Sequence, residues 1–71
     1  MIGTKIRAKR RALGMTQTQL AESVGASLSA VVTWEKGTRS PQMAALKSLA
    51  IVLGCTTDEL LKDDDNAARP V

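Results

Sequence analysis

Only three residues, Gly25-Ala26-Ser27, separate two segments that both carry strong helix signals, and so short a connection leaves few ways to pack them. Upstream, Thr16-Gln17-Thr18-Gln19 has the form of a capping box, in which the Thr16 hydroxyl and the Gln19 amide each satisfy a backbone donor of the other. A helix is therefore expected from about Gln17 to Val24, with Leu20, Ala21 and Val24 turned inward. Gly25 supplies the left-handed backbone that a sharp turn after a helix requires. Ser27 can cap the next helix, which should run to about Lys36 and stop at Gly37. Two helices joined this tightly cannot lie antiparallel and must cross at a large angle.

Three more helices follow from caps and apolar spacing. Residues 4 to 13 form the first, with Thr4 as its cap, Ile2, Ile6 and Leu13 on one stripe, and Gly14 at its end. Ser40-Pro41 is a start signal, a capping hydroxyl followed by proline where no backbone donor is needed. After it Met43, Leu46, Leu49, Ala50 and Leu53 share a face, and Gly54 closes this fourth helix. Ile51 and Val52 lie off its main stripe, and at least one of them is expected in the core. A short fifth helix should begin at Thr56 or Thr57, with Asp58 and Glu59 favourable to its dipole and Leu60 and Leu61 anchoring it. The expectation is an all-α, compact five-helix domain over residues 1–62, followed by a disordered acidic tail over 63–71 that contains Asp63-Asp64-Asp65-Asn66 and Pro70.

With 71 residues the chain has room for one domain and a thin core. Phe and Tyr are absent and Trp34 is the only aromatic, so the core must be aliphatic. Cys55 is the only cysteine and there is no histidine, which removes an internal disulfide framework and the usual zinc and general-base constellations. The chain does not read as an enzyme, and neither a cofactor nor a metal is expected. No apolar run approaches the roughly 18 residues of a membrane span, and no secretory leader is recognisable, so a cytoplasmic protein without a membrane partner is expected. Charge is unevenly spread: residues 1 to 56 hold eight Lys/Arg against two acids, Glu22 and Glu35, whereas the remainder is acidic. A basic body of this kind suits a polyanionic partner.

On a wheel of the third helix, Val31, Trp34, Ala30 and Glu35 occupy one arc and Leu28, Val32, Lys36, Ser29 and Thr33 the other. Burying the first arc turns the second outward, which is how a recognition helix is presented to the major groove. Arg10 and Glu35 both fall at the rims of their buried stripes, so each needs a partner, and a salt bridge between them would lock the first helix to the third.

The run Thr16-Gln17-Thr18-Gln19-Leu20-Ala21-Glu22, then Val24-Gly25, Val31, Trp34-Glu35-Lys36-Gly37 and Arg39-Ser40-Pro41, resembles the phage repressor and Cro-type (XRE) helix-turn-helix family. The likeness continues through Leu46, Leu49-Ala50, Leu53-Gly54 and Leu60-Leu61, covering residues 2 to about 62. It implies a lambda-repressor-like fold with the helix-turn-helix at helices 2 and 3, and sequence-specific binding of double-stranded DNA as a homodimer at a pseudo-palindromic operator. It further implies base-edge contacts from Leu28, Ser29, Val32 and Thr33, and phosphate contacts from Gln17 and from backbone amides and side chains around Lys36, Thr38 and Arg39. Pairing of Arg10 with Glu35 is a family feature too, and dimerisation is implied through the segment of Cys55, Thr56, Thr57 and Glu59.

The departures from that pattern are Ala26 in the turn, where the family often has a larger residue, and above all the reading face. Leu28 and Val32 cannot exchange hydrogen bonds with bases; they can pack on thymine methyl groups, while Ser29 and Thr33 make single, less selective bonds. Readout biased to thymine and to DNA shape is therefore expected. A regulator of the Cro or repressor type is the leading reading. A restriction-modification controller, an antitoxin-type regulator, and a helical interaction module that has lost DNA readout are the alternatives. A redox role for Cys55 competes with that of a small buried thiol. Lys5, Arg7 and Lys9 read as ordinary surface charges and Arg11 as ambiguous.

Overall fold

The computed structural model describes residues 2–62, which form five helices and no strand: α1 (Ile2–Ala12), α2 (Gln17–Val24), α3 (Leu28–Lys36), α4 (Met43–Leu53) and α5 (Thr57–Leu61). The expected acidic tail, 63–71, lies outside the described residues.

The central pair is built by its caps. Thr16 Oγ1 accepts from the Gln19 amide at 3.0 Å while Gln19 Oε1 accepts from the Thr16 amide at 2.8 Å, closing the box at the start of α2. Gly25 sits at φ 72°, ψ 31° and lets the amide of Ala26 return to the Ala21 carbonyl at 2.9 Å. Ser27 Oγ then accepts from the Ala30 amide at 3.1 Å and starts α3. A larger residue at position 25 would have to adopt a backbone conformation that costs roughly 1–2 kcal/mol.

One core, aliphatic apart from Trp34, joins all five helices: Ile6 from α1, Leu20 and Ala21 from α2, Val31 and Trp34 from α3, Leu46, Leu49, Ala50 and Leu53 from α4, and Leu60 from α5. Four expectations need correcting. α1 starts at Ile2, not after Thr4, because Ile2 packs against the core and Gly3 is buried against α3, and both need helical backbone to be held there. It ends at Ala12, leaving Leu13 in the turn that Gly14 makes at φ 71° and more than half exposed. α4 starts at Met43 with Gln42 as an N-cap that makes no side-chain bond, so Ser40-Pro41 belongs to the connection. Restriction of Ser40 by the following proline keeps that connection extended; the core stripe of α4 begins only at Leu46, and Met43 stays exposed. Leu60 anchors α5 alone, fully buried, while Leu61 faces outward. Of the two residues off the α4 stripe, Val52 packs against the core and Ile51 is 80% exposed.

Candidate nucleic-acid interface

The framework of the interface is the contact between α1 and α3. Arg10 Nε donates to Glu35 Oε2 at 2.7 Å and Arg10 Nη2 to Glu35 Oε1 at 3.1 Å, a two-pronged pair whose side chains are 9% and 4% exposed. Arg10 Nη1 donates to the Met15 carbonyl at 2.7 Å, and Gln17 Nε2 donates to Glu35 Oε1 at 3.2 Å. Burial pushes the Glu35 carboxyl up, but the bonds from Arg10 and Gln17, with the charges of Arg10 and Arg7, outweigh it and hold the group below its ordinary value. The hydrogen bond to Glu35 raises Arg10, against burial, and the Coulomb attraction of Glu35 adds to it. Both charges therefore persist in the fold at neutral pH, and the network fixes the entry of α2 as well as the end of α3.

On α3 itself, Leu28 is 47% exposed and Ser29 is exposed, whereas Val32 and Thr33 are half-buried. The outward arc drawn on the wheel is thus split. Leu28 and Ser29 project most freely, and Val32 lines a groove toward α1 and the start of α2. Thr33 lines a second open groove between the helix-helix turn and the α4 connection, shared with Ser29 and Arg39. Its hydroxyl donates to the Ala30 carbonyl at 2.8 Å, so what it offers outward is lone pairs.

At the C-terminal end of α3 the Thr33 carbonyl gathers the amides of Gly37 at 3.1 Å, Thr38 at 3.1 Å and Arg39 at 3.4 Å, together with the Thr38 hydroxyl at 3.2 Å. These donors lie in the segment expected at a phosphate and also serve the end of α3, because a helix terminus must satisfy its own last carbonyls. The Lys36 and Arg39 side chains remain exposed. Gln17 spends one amide hydrogen on Glu35 and keeps a second to give.

The segment expected to dimerise makes several bonds within the chain while Thr56 and Glu59 stay exposed. Thr56 Oγ1 caps α5 by accepting from the Glu59 amide at 3.0 Å. Glu59 Oε2 lies 3.5 Å from Lys9 Nζ, and its carbonyl accepts from Lys5 Nζ at 3.2 Å. Thr57 and Cys55 are half-buried, and Cys55 packs against the core. Burial pushes the Cys55 thiol up, with Lys9 opposing and Glu59 adding to it, which favours the protonated form.

Sequence reasoning missed Gly3. A Cβ there would overlap the Trp34 carbonyl oxygen and come within 2.9 Å of the Glu35 carbonyl oxygen, so the absence of a side chain lets α1 reach the backbone of α3. A lone glycine in a first helical turn is its only signal.

Comparison with known proteins agrees with this geometry. A helix-turn-helix family model matches residues 6–60. The repressor protein C2 of Salmonella phage P22 is 38% identical over 64 residues, which cover 90% of this chain and 30% of the repressor. An HTH-type transcriptional regulator of Methanothermobacter thermautotrophicus is also 38% identical, and the match spans 96% of its length. Among solved structures, the P22 c2 repressor bound to a synthetic operator superposes with a TM-score of 0.85 at 37% identity, covering 87% of this chain and 94% of that one. The chain thus spans under a third of the length of the phage repressor, and nearly all of the archaeal regulator.

Proposed function

Because this chain belongs to the helix-turn-helix family of XRE type, we propose that it binds double-stranded DNA sequence-specifically as a transcriptional regulator. The observation that carries the reading is a capped α3 held by Val31 and Trp34 with Leu28 and Ser29 left outside, on a basic body. The operator-bound state of the P22 c2 repressor, which shares this fold, supports it.

In this reading Leu28 and Val32 pack on thymine methyl groups, and Ser29 and Thr33 meet base edges. Lys36 and Arg39 neutralise phosphates, and Gln17 gives its second amide hydrogen to another. Thr38 could serve a phosphate only by surrendering its bond to Thr33. The uncapped first turn of α4 is the better source of backbone donors beside Arg39. The protein acts on cytoplasmic DNA as a repressor of the Cro kind. A single recognition helix spans only a few base pairs, so two copies on half-sites about 34 Å apart are required for useful specificity. Exposed Ile51 and Leu61 flank the Cys55–Glu59 segment in sequence and supply the apolar area for that pairing.

Selection from a random duplex pool, followed by titration of the selected site, tests all of this. The selected site should be two-fold symmetric, bind two protomers, and lose affinity steeply between 50 and 200 mM salt. Leu28→Ala and Val32→Ala should each weaken the selected site by about 1–2 kcal/mol, fivefold to thirtyfold, while binding to unrelated duplex changes little. Unchanged site affinity in both variants would refute methyl reading, and no enrichment of any sequence would favour a protein-interaction module instead.

A further inference from the structure

Helix α1 carries five cations, Lys5, Arg7, Lys9, Arg10 and Arg11, and the structure sorts them into three groups. Lys5 and Lys9 reach α5, where Glu59 accepts from one and pairs with the other. Arg10 is buried against Glu35. Arg7 and Arg11 are exposed and line the groove between α1, the start of α2 and α3, facing Gln17, Val32 and Lys36.

That groove is electrically unbalanced. Four cations, Arg7, Arg10, Arg11 and Lys36, surround one carboxylate, Glu35. Glu35 is already committed: Oε2 accepts from Arg10, and Oε1 accepts from Arg10 and from Gln17. No acid among the described residues hydrogen-bonds to or pairs with Arg7 or Arg11. Like charges one helical turn apart also cost α1 a few tenths of a kcal/mol. Beyond the attraction of Arg7 for Glu35, the two exposed guanidinium groups have no bonded partner here, and a ligand of phosphate chemistry fits them. Two guanidinium forks match phosphate oxygens, and the Thr16 hydroxyl, which accepts from Gln19, still has a hydrogen to donate. Val32 lines the same groove, so a duplex laid along α3 brings its backbone past Arg7 and Arg11.

We propose that Arg7 and Arg11 clamp the DNA backbone across this groove, making α1 a DNA-binding element and not only a support for α3. This rests on the duplex-binding reading above and extends it to Arg7, which the sequence alone marks as an ordinary surface charge, and to Arg11, which it leaves ambiguous. A backbone clamp reads no bases, so it strengthens binding to every duplex alike.

The test compares R7Q/R11Q with K5Q/K9Q, which removes the same charge from the side of α1 that faces α5. Affinity for the selected site and for an unrelated duplex is measured from 50 to 200 mM salt. For R7Q/R11Q the slope of log affinity against log salt should fall by about 1.8 per bound protomer, so that this salt step costs the variant about tenfold less per protomer than the parent. At 50 mM both duplexes should weaken by a common factor of at least tenfold. K5Q/K9Q should change the slope by less than about 0.5. The melting temperature of R7Q/R11Q should stay within a few degrees of the parent's, because the lost attraction of Arg7 for Glu35 is offset by the relieved repulsion between Arg7 and Arg11. A parent that binds duplex while R7Q/R11Q keeps its slope overturns the clamp alone, as does an equal loss in K5Q/K9Q or a melting temperature lowered by many degrees. A parent that binds no duplex overturns the clamp together with the reading beneath it.

Discussion

Replacing Glu35 with alanine is expected to lower the free energy of unfolding by about 3–5 kcal/mol, the penalty for leaving a buried charge without its partner. Arg10 would keep its bond to the Met15 carbonyl but lose both bonds to the carboxylate, with its side chain still 9% exposed. In a domain of this size each kcal/mol is worth about 4–8 °C, so the melting midpoint should drop by at least about 12 °C. Urea titration of parent and variant measures the loss in unfolding free energy, and thermal unfolding the shift in midpoint. A loss below about 1 kcal/mol would place the pair with ordinary surface salt bridges and sink the argument. The pair is also expected to be replaceable: Arg10→Met with Glu35→Leu removes both charges together and should recover most of the loss, because a well-packed apolar pair avoids the desolvation that the ions endure.

The same pair sets a pH dependence. Burial tends to raise the Glu35 carboxyl, but the hydrogen bonds and charges around it win and leave the folded value below the unfolded one. A depressed carboxylate contributes stability that is present above its unfolded value and drains away as the pH falls toward and through the folded value. Arg10 is shifted upward and stays charged throughout that range. The stability gap between the parent and Glu35→Gln should therefore be widest near neutral pH and shrink in acid. A gap that stays constant down to the acid limit would mean that Glu35 does not titrate as part of the pair.

These residues also show how far the sequence was legible. Thr16, Gln19, Gly25 and Ser27 act through their own chemistry on neighbouring backbone, so the helix pair they define could be read from local rules and occurs at those positions. Arg10 and Glu35 could be paired because each lies at the edge of an apolar stripe. Local rules misplaced the ends of α1 and the start of α4, where tertiary contacts prevail: Ile2 draws α1 forward into the core, and the path from Gly37 to the Leu46 stripe takes up Ser40 and Pro41. The split of the outward arc of α3, with Val32 and Thr33 half-buried, depends on how closely α1 and the α4 connection approach. A wheel drawn for one helix contains no such information. The sorting of the α1 cations into those facing α5 and those facing the groove has the same origin, since it requires knowing which neighbour lies on which side.

Gly3→Ala separates the two levels most sharply, because local and tertiary reasoning give it opposite signs. Within a helix, alanine is favoured over glycine by about 1 kcal/mol, so propensity alone expects a gain. The added Cβ, however, would overlap the carbonyl oxygen of Trp34 and crowd that of Glu35, both backbone atoms near the end of α3 that cannot rotate away. Relief requires α1 to slide off α3, which stretches the Arg10–Glu35 pair and withdraws Ile6 from the core. Overpacking of that kind typically costs about 1–3 kcal/mol, and with unyielding backbone on the far side the upper end is expected. Thermal unfolding should then show a midpoint lower by about 12 °C or more. Duplex affinity should fall as well, since Arg7 and Arg11 move with α1. An unchanged or higher midpoint would mean that the two helices do not approach this closely, and would remove the basis for treating α1 and α3 as one rigid frame for the interface.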